Sequence, residues 1–165
     1  MAENESMPES KAELDARITR EWDALQAVIA GLSEEQLTAP GEGGWSIKDN
    51  LYHIAAWEQV PLGAVLGSQT LAQALGVAPE TLQGLDENGE NDVLYRRGRD
   101  LSLPAVLGAA RVSHEQVLQT LAVTPFEALL KPHKPGRPEP VLDWVVGNTY
   151  DHYREHRLYI QRLAQ

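Results

Sequence analysis

The chain has 165 residues, the usual size of one domain, and 42% of them are hydrophobic, which is enough for one sizeable core. Its 14 Lys and Arg residues against 24 Asp and Glu give a formal net charge of -10, which predicts no nucleic-acid partner and no attraction to anionic membranes. Because the chain has no Cys, it excludes disulfides, a thiolate nucleophile and Cys-ligated metal sites.

The N-terminal segment, residues 1–9, is polar and acidic and lacks the apolar core of a signal sequence. No apolar run along the chain approaches the length of a membrane span. We therefore interpret residues 1–9 as a mobile leader and residues 10–165 as a single domain of a soluble cytoplasmic protein.

Helix-start signals divide the first third of the chain. Ser10 with Glu13 forms a Ser-x-x-Glu capping box, and apolar residues follow it at helical spacing to Leu32. Similar boxes begin a short turn at Ser33 and a second helix at Ser46. On that second helix we expect a solvent-facing polar arc of Lys48, Tyr52 and Gln59.

The rest of the chain is predicted as connections and two more helices. Glycines and prolines interrupt every periodic run over 61–100, which favours short helical pieces that serve as a lid or pocket wall. A third helix runs from Ser102 to Pro125, a Pro-rich basic loop covers 131–140, and one continuous fourth helix covers 141–163. Four helices with no credible strand predict an all-α four-helix bundle.

Two histidines of the fourth helix, His152 and His156, lie one turn apart on its apolar face. Side chains at i and i+4 are close enough for two imidazoles to bind one cation, although a hydrogen-bonded pair of core histidines explains the same spacing. A third imidazole would favour the metal, and His53 on the second helix is the best candidate for it. Three imidazoles leave coordination positions open and accept Zn, Ni, Fe or Mn.

Five further side chains are candidates for holding the imidazole rings in place or for lining a pocket beside them. They are selected because they lie within a helical turn or two of the three histidines. Trp57 follows His53 by four residues and is the preferred pocket aromatic, together with Trp45. The five candidates are Asp49, Asn50, Trp57, Asn148 and Thr149.

Two segments resemble a known family. Gly44-Trp-Ser-Ile-Lys-Asp-Asn-Leu-Tyr-His-Ile-Ala-Ala-Trp57 and Asn148-Thr-Tyr-Asp-His-Tyr-Arg-Glu-His156 are similar to the DinB/YfiT-like proteins, most of all to their ClbS/DfsB-type branch. The resemblance implies a left-handed up-down-down-up four-helix bundle with extra short helices between helices two and three. It also implies one divalent metal on His53, His152 and His156.

The resemblance further implies a chemistry. Members look like metal-dependent hydrolases, or transferases that use a low-molecular-weight thiol, and they act on small reactive electrophiles in stress or toxin protection. A water or thiol activated by the metal would be the nucleophile, and no catalytic side chain is assigned. The alternative is a non-catalytic bundle that sequesters a hydrophobic small molecule or a metal, and a homodimer is compatible with either function.

Other motifs carry less weight. His152-Tyr-Arg-Glu-His156 matches the H-x-x-E-H protease signature, but the short remaining chain leaves no room for that family's third ligand. Glu155 within it is expected to face solvent or to orient a ring, and His114 is expected to be a core histidine. The acidic stretch 86–92 lacks the spacing of a calcium loop and is interpreted as a solvated turn.

Overall fold

The computed structural model describes residues 6–41, 43–134 and 137–164, so positions 1–5 of the predicted leader lie outside the described residues. The described part of that leader, residues 6–9, lies against the first helix. Arg17 Nη1 donates a hydrogen bond to the Ser6 carbonyl at 2.5 Å, and Pro8 is buried.

Helices make up most of the described chain. In chain order they are α1 (Lys11–Ala30), α2 (Glu34–Thr38), α3 (Ile47–Trp57), a π-helical turn (Val60–Val65), α4 (Leu71–Ala74), a 3-10 turn (Pro79–Thr81), α5 (Glu87–Gly98), α6 (Leu103–Val123), α7 (Phe126–Leu129), α8 (Val141–Gly147) and α9 (Tyr150–Leu163). A two-stranded hairpin, β1 (Pro132–Lys134) and β2 (Arg137–Pro140), lies between α7 and α8.

Serine hydroxyls begin the helices where the sequence predicts. The side chains of Ser10, Ser46 and Ser102 each accept a hydrogen bond from a backbone amide in the first turn of α1, α3 and α6. At α3 the Asp49 carboxylate completes the capping box by accepting from the Ser46 amide at 2.9 Å. This box fixes the start of the helix that carries His53.

The long helices form a four-helix bundle, which confirms the predicted fold class. α1 packs along α9, α3 packs along α6, and α3 also contacts α9. The short helical segments between α3 and α6 correspond to the extra helices predicted there. No helix within the described ranges combines the length and hydrophobicity that crossing a bilayer requires. Fully buried side chains from all four helices fill the centre, among them Leu14, Ile18, Leu25, Ile54, Val106, Val117, Leu121, Tyr150, Tyr153 and Ile160.

The predicted polar arc of the second helix is wrong at Lys48. Its side chain is only 10% exposed, and its Nζ donates to the carbonyls of Arg99 at 2.5 Å and Leu101 at 2.8 Å. The long methylene stem is buried while the ammonium binds carbonyls beyond the end of α5, a compromise that helical periodicity alone does not reveal.

The predicted continuous fourth helix is also wrong, because it is divided into α8 and α9 at Asn148 and Thr149. The Thr149 hydroxyl donates to the Val145 carbonyl at 2.7 Å, and the Asn148 side-chain amide donates to the Trp144 carbonyl at 2.8 Å. Thr149 takes the carbonyl that its own amide would use in a continuous helix, and that amide bonds to Val146 instead. Side-chain competition for backbone carbonyls interrupts the helix here.

The predicted Pro-rich loop over 131–140 is a hairpin, and the prediction of no strand is corrected accordingly. The strands are antiparallel, with Pro132 opposite Pro140 and Lys134 opposite Arg137. Proline has no amide proton to donate to a neighbouring strand, so the Pro-rich sequence of 131–140 predicts a loop. In a two-stranded ribbon the prolines are tolerated because each strand has an unpaired edge.

A close approach between α5 and α3 requires glycine at position 98. A Cβ built on Gly98 would lie 2.2 Å from Cδ1 of Tyr52. We expect Gly98→Ala to lower the free energy of unfolding by about 1–3 kcal/mol, because the Tyr52 ring must move to accommodate the methyl group.

Urea unfolding measures this loss, and Gly108→Ala is the matched control. Gly108 lies inside α6 with open space where a Cβ would point, so alanine there should stabilise the helix by about 0.5–1 kcal/mol. A Gly98→Ala variant as stable as the Gly108→Ala variant would contradict the steric explanation.

Candidate metal centre

Three histidines from two helices meet between α3 and α9. His53 lies in the middle of α3, and His152 and His156 lie one turn apart on α9. The Nε2 atom of His152 is 3.0 Å from Nε2 of His53 and 3.0 Å from Nε2 of His156. His53 is buried and the other two are partly buried.

A hydrogen bond to Asn50 defines the tautomer of one ring. The Asn50 side-chain amide donates to the Ser46 carbonyl at 2.8 Å, which leaves its Oδ1 as the acceptor at 2.9 Å from Nδ1 of His156. His156 therefore donates its ring proton from Nδ1, and its Nε2 presents a lone pair to the other two histidines.

Burial keeps the imidazoles neutral at physiological pH. It lowers the pKa of His53 to about 3, with a smaller contribution from His156, and lowers the pKa of His156 to about 4. The pKa of His152 lies well below its usual value, first because of burial and then because of the two neighbouring rings. Neutral imidazole is the form that binds metal ions.

The donor set fits a divalent metal. Two ligand nitrogens on a tetrahedral Zn²⁺, each about 2.0–2.1 Å from the ion, are separated by about 3.3 Å, close to the separations found here. A neutral ring has a single N–H, so three converging Nε2 atoms cannot all be satisfied by hydrogen bonds among themselves. Within the described chain, Nδ1 of His53 and of His152 has no hydrogen-bond partner, so Asn50 supplies the triad's one outer hydrogen bond.

The Asn50 bond has a measurable consequence. We expect Asn50→Ala to weaken Zn²⁺ affinity about 10–100-fold, because the His156 ring loses the group that fixes its proton and orientation. Asn50→Asp keeps an acceptor and should restore most of the affinity. Competition titrations with a chromophoric chelator measure both variants.

Asn148→Ala is the matched control for this prediction. Asn148 lines the same pocket, but its amide bonds to the Trp144 carbonyl rather than to an imidazole. An equal loss of affinity in Asn148→Ala and Asn50→Ala would contradict a specific role for Asn50.

The other candidate side chains have different neighbours. Trp57 lines the pocket, and its Nε1 donates to Asn91 Oδ1 at 2.8 Å. Asp49 belongs to the capping box with Ser46, and the Thr149 hydroxyl is used in the helix break, so their hydrogen bonds go to groups other than the rings.

A pocket of about 810 Å³ opens over the three histidines. Trp45 and Trp57 lie beside His53, with ring centroids 5.7 and 6.2 Å from its ring. Glu155 is exposed and lines the pocket, as the sequence allowed. His114 lies outside it: its ring stacks on Trp22 at 4.1 Å, and its Nδ1 is 3.1 Å from the Tyr153 hydroxyl, the environment of a core histidine.

The sequence predicts a pocket wall from the 61–100 connection, but it does not single out most of the polar side chains that line this pocket. They come from α5, β2 and α8, three elements with no periodic link to the histidines. The stretch 86–92, interpreted as a solvated turn, is the N-cap and first turns of α5 and brings several of them to the pocket. The missed residues are Glu87, Asn88, Asn91, Asp92, Glu139 and Asp143.

Known proteins share both the sequence pattern and the fold. The family model described as the DinB superfamily matches residues 17–160. A protein of Geobacillus thermodenitrificans named "Putative metal-dependent hydrolase" is 36% identical over 56 residues, covering 28% of this chain and 32% of that protein. The match therefore spans about a third of the curated relative's length.

Solved structures extend the similarity to nearly the whole chain. The structure of the colibactin self-resistance protein ClbS in complex with a double-stranded DNA has a TM-score of 0.77 at 17% identity, covering 96% of this chain and 97% of that one. An uncharacterised protein from Clostridium difficile has a TM-score of 0.74 at 17% identity, covering 95% of this chain and 96% of that one. These neighbours confirm the fold.

The ClbS complex corrects one prediction. The net charge of -10 predicts no nucleic-acid partner, and that prediction is wrong, because a protein with this fold is found in complex with double-stranded DNA. Net charge averages over the whole surface, whereas DNA contacts depend on the local arrangement of basic and polar groups.

Proposed function

The chain belongs to the DinB superfamily, and we propose that it is a metal-dependent hydrolase that acts on a small reactive electrophile. His53, His152 and His156 would hold a divalent transition metal, namely Zn, Ni, Fe or Mn. The observation that carries the proposal is the convergence of three Nε2 atoms, with successive separations of 3.0 Å, at a pocket of about 810 Å³.

A metal held there supplies a Lewis acid that makes a nearby water or thiol more acidic. The chain's own residues provide the rest of the chemistry. Asn50 keeps the His156 proton on Nδ1, and Trp45 and Trp57 place two apolar rings beside His53. Glu155, a pocket carboxylate on the same helix as His152 and His156, is the proposed proton acceptor.

Turnover tests the proposal. Zn-loaded protein is incubated with a tenfold molar excess of an activated ester or an epoxide, with no thiol present. We expect more than one molecule to be hydrolysed per chain and expect a chelator to abolish the reaction. A strict requirement for an added thiol would indicate the transferase alternative, and consumption limited to one molecule per chain would favour the sequestering bundle.

The stress or toxin-protection role and the cytoplasmic location belong to the same proposal. The support is indirect: the sequence pattern matches the superfamily, and the ClbS fold, which belongs to a self-resistance protein, covers 96% of this chain. A cell lacking this protein is expected to be more sensitive to the electrophiles that the protein hydrolyses.

Double-stranded DNA is a second candidate partner, and the ClbS complex is the observation that favours it. We expect a fluorescently labelled duplex to bind this protein saturably at low salt and to dissociate as salt is raised, since phosphate contacts release counterions. Fluorescence anisotropy measures this. No binding at low ionic strength would restrict the partners to small molecules.

A further inference from the structure

The charge of the pocket over the three histidines has one sign. Its lining contains carboxylates from α5, β2, α8 and α9, and no Lys or Arg within the described ranges. Four different elements contribute these carboxylates, so they are not simply the solvated face of one helix. They are Glu87, Asp92, Glu139, Asp143 and Glu155.

Few neighbouring cations neutralise this opening. Among the described residues, Asp92 is the one of these five carboxylates with an ion pair, to the exposed Arg96 at 2.5 Å. Arg162 does not line the pocket, but it lines a smaller adjoining cleft that shares Glu155 and His156 with it, and it lies over the Tyr159 ring at 5.6 Å. The pKa of Glu90 is raised, first by burial and then by the charges of Glu87 and Asp86 at the start of the same helix.

Aromatic side chains line the same pocket as the carboxylates. Trp45, Trp57 and Trp144 all line the pocket and are partly exposed. Two of them are held in place: Trp45 stacks on Tyr95 with centroids 5.1 Å apart, and Trp57 Nε1 is bonded to Asn91. Indole faces combined with nearby carboxylates are the environment in which proteins bind quaternary ammonium and other organic cations.

We propose that this pocket selects a small organic cation, such as a protonated amine or a quaternary ammonium compound, and rejects anions. The inference rests on the proposed function for its reacting group: the cation is held by the tryptophans and carboxylates, and the electrophilic carbon of the same molecule faces the three histidines. A thiol cosubstrate that carries carboxylates would be repelled from the same opening.

Isosteres that differ in charge test the preference without relying on turnover. Choline and 3,3-dimethyl-1-butanol have nearly the same shape and differ in charge, and 3,3-dimethylbutyrate supplies an anion of similar size. Binding is measured by tryptophan fluorescence and calorimetry at low salt, on metal-free and Zn-loaded protein. We expect choline to bind about tenfold more tightly than the alcohol, and the anion to bind most weakly.

A charge-matched pair of variants separates the pocket from the net charge of the chain. Glu139→Gln with Asp143→Asn removes two carboxylates at the opening, whereas Glu34→Gln with Glu35→Gln removes two exposed carboxylates on α2. The first pair should weaken choline binding about fivefold, and the second should change it less than twofold. Neither pair should alter binding of the uncharged alcohol.

Equal affinity for the two isosteres, no binding of either, or the same effect from both variant pairs would overturn the inference. The proposed function fails on a different result, namely the absence of metal binding and turnover. Choline selectivity in a protein that binds no metal would support the cation pocket and contradict the hydrolase proposal. Metal-dependent turnover without choline selectivity would support the hydrolase proposal and contradict the cation pocket.

Discussion

Replacing His152 by alanine is expected to reduce bound Zn²⁺ from about one equivalent per chain to less than a tenth of that value. His152 is the ring that both other histidines approach, with Nε2 atoms 3.0 Å away on either side. Without His152, only the Nε2 atoms of His53 and His156 remain to bind the ion. Elemental analysis of untagged protein after dialysis against Zn²⁺ measures the change, and hydrolysis should fall in parallel.

His114→Gln is the matched control for His152→Ala. His114 is also a buried histidine of the bundle, but it contacts Trp22 and Tyr153 and is not part of the cluster. Metal content near one equivalent in this variant, with a thermal melt showing a folded protein, would assign the loss to the site. Equal, near-zero metal content in wild type and His152→Ala would contradict the metal centre.

As pH rises to about 8, the free energy of unfolding of the wild type is expected to fall. Replacing Glu58 by glutamine is expected to remove most of that decrease. Glu58 has no exposed surface, and burial raises its pKa to about 8, against the opposing hydrogen bonds from Ser113 and Tyr153. A raised folded pKa means that its stabilisation is complete below the unfolded pKa of 4.5 and is lost as pH rises to about 8.

The pH window for this test is set by the groups that face Glu58. The Tyr153 hydroxyl donates to Glu58 Oε1, and burial raises the pKa of Tyr153 well above its usual value. Burial lowers the pKa of His114, next to Tyr153, to about 4, so that ring titrates below its unfolded value of 6.5. Between pH 6.5 and 8.5 the carboxyl of Glu58 is therefore the member of this network that titrates.

Over that window the wild type should lose about 2 kcal/mol of unfolding free energy that Glu58→Gln does not lose. Urea unfolding at several pH values measures the difference. Glu34→Gln, an exposed change of the same chemistry on α2, should follow the wild type. Parallel pH profiles for wild type and Glu58→Gln would show that Glu58 does not bind its proton more tightly in the folded state.

The elements with local chemical signals are the ones that the sequence predicts well. Ser10, Ser46 and Ser102 begin helices because a hydroxyl satisfies free amides, and this depends on a few neighbouring residues. The spacing of His152 and His156 places both rings on one side of a helix by geometry alone. His53 is predicted only as the best candidate for a third imidazole, because no local pattern links it to a helix about a hundred residues away, and the resemblance to a family implies the same assignment.

The features that the sequence does not reveal depend on tertiary contacts. Lys48 is buried because carbonyls from another part of the chain receive its ammonium. The break at Asn148 and Thr149 results from side chains competing for carbonyls within an otherwise helical pattern. The acidic opening of the pocket assembles from separate elements, so charges such as Glu139 are indistinguishable from ordinary surface residues in the sequence.

Net charge was misleading for a related reason. The net charge of -10 describes the average effect of the whole chain on distant charges, and it does not say where the carboxylates lie. In the structure, several of them line one pocket. The same local concentration supports the proposal of a cationic ligand and makes the pocket an unfavourable site for phosphate groups.

Anomalous diffraction at the metal edge, from crystals loaded with Zn²⁺, shows whether three imidazoles from α3 and α9 hold one metal ion. We expect a single strong peak about 2.0–2.2 Å from Nε2 of His53, His152 and His156. A peak elsewhere on the chain, or no peak in crystals of protein loaded with Zn²⁺, would contradict the metal centre.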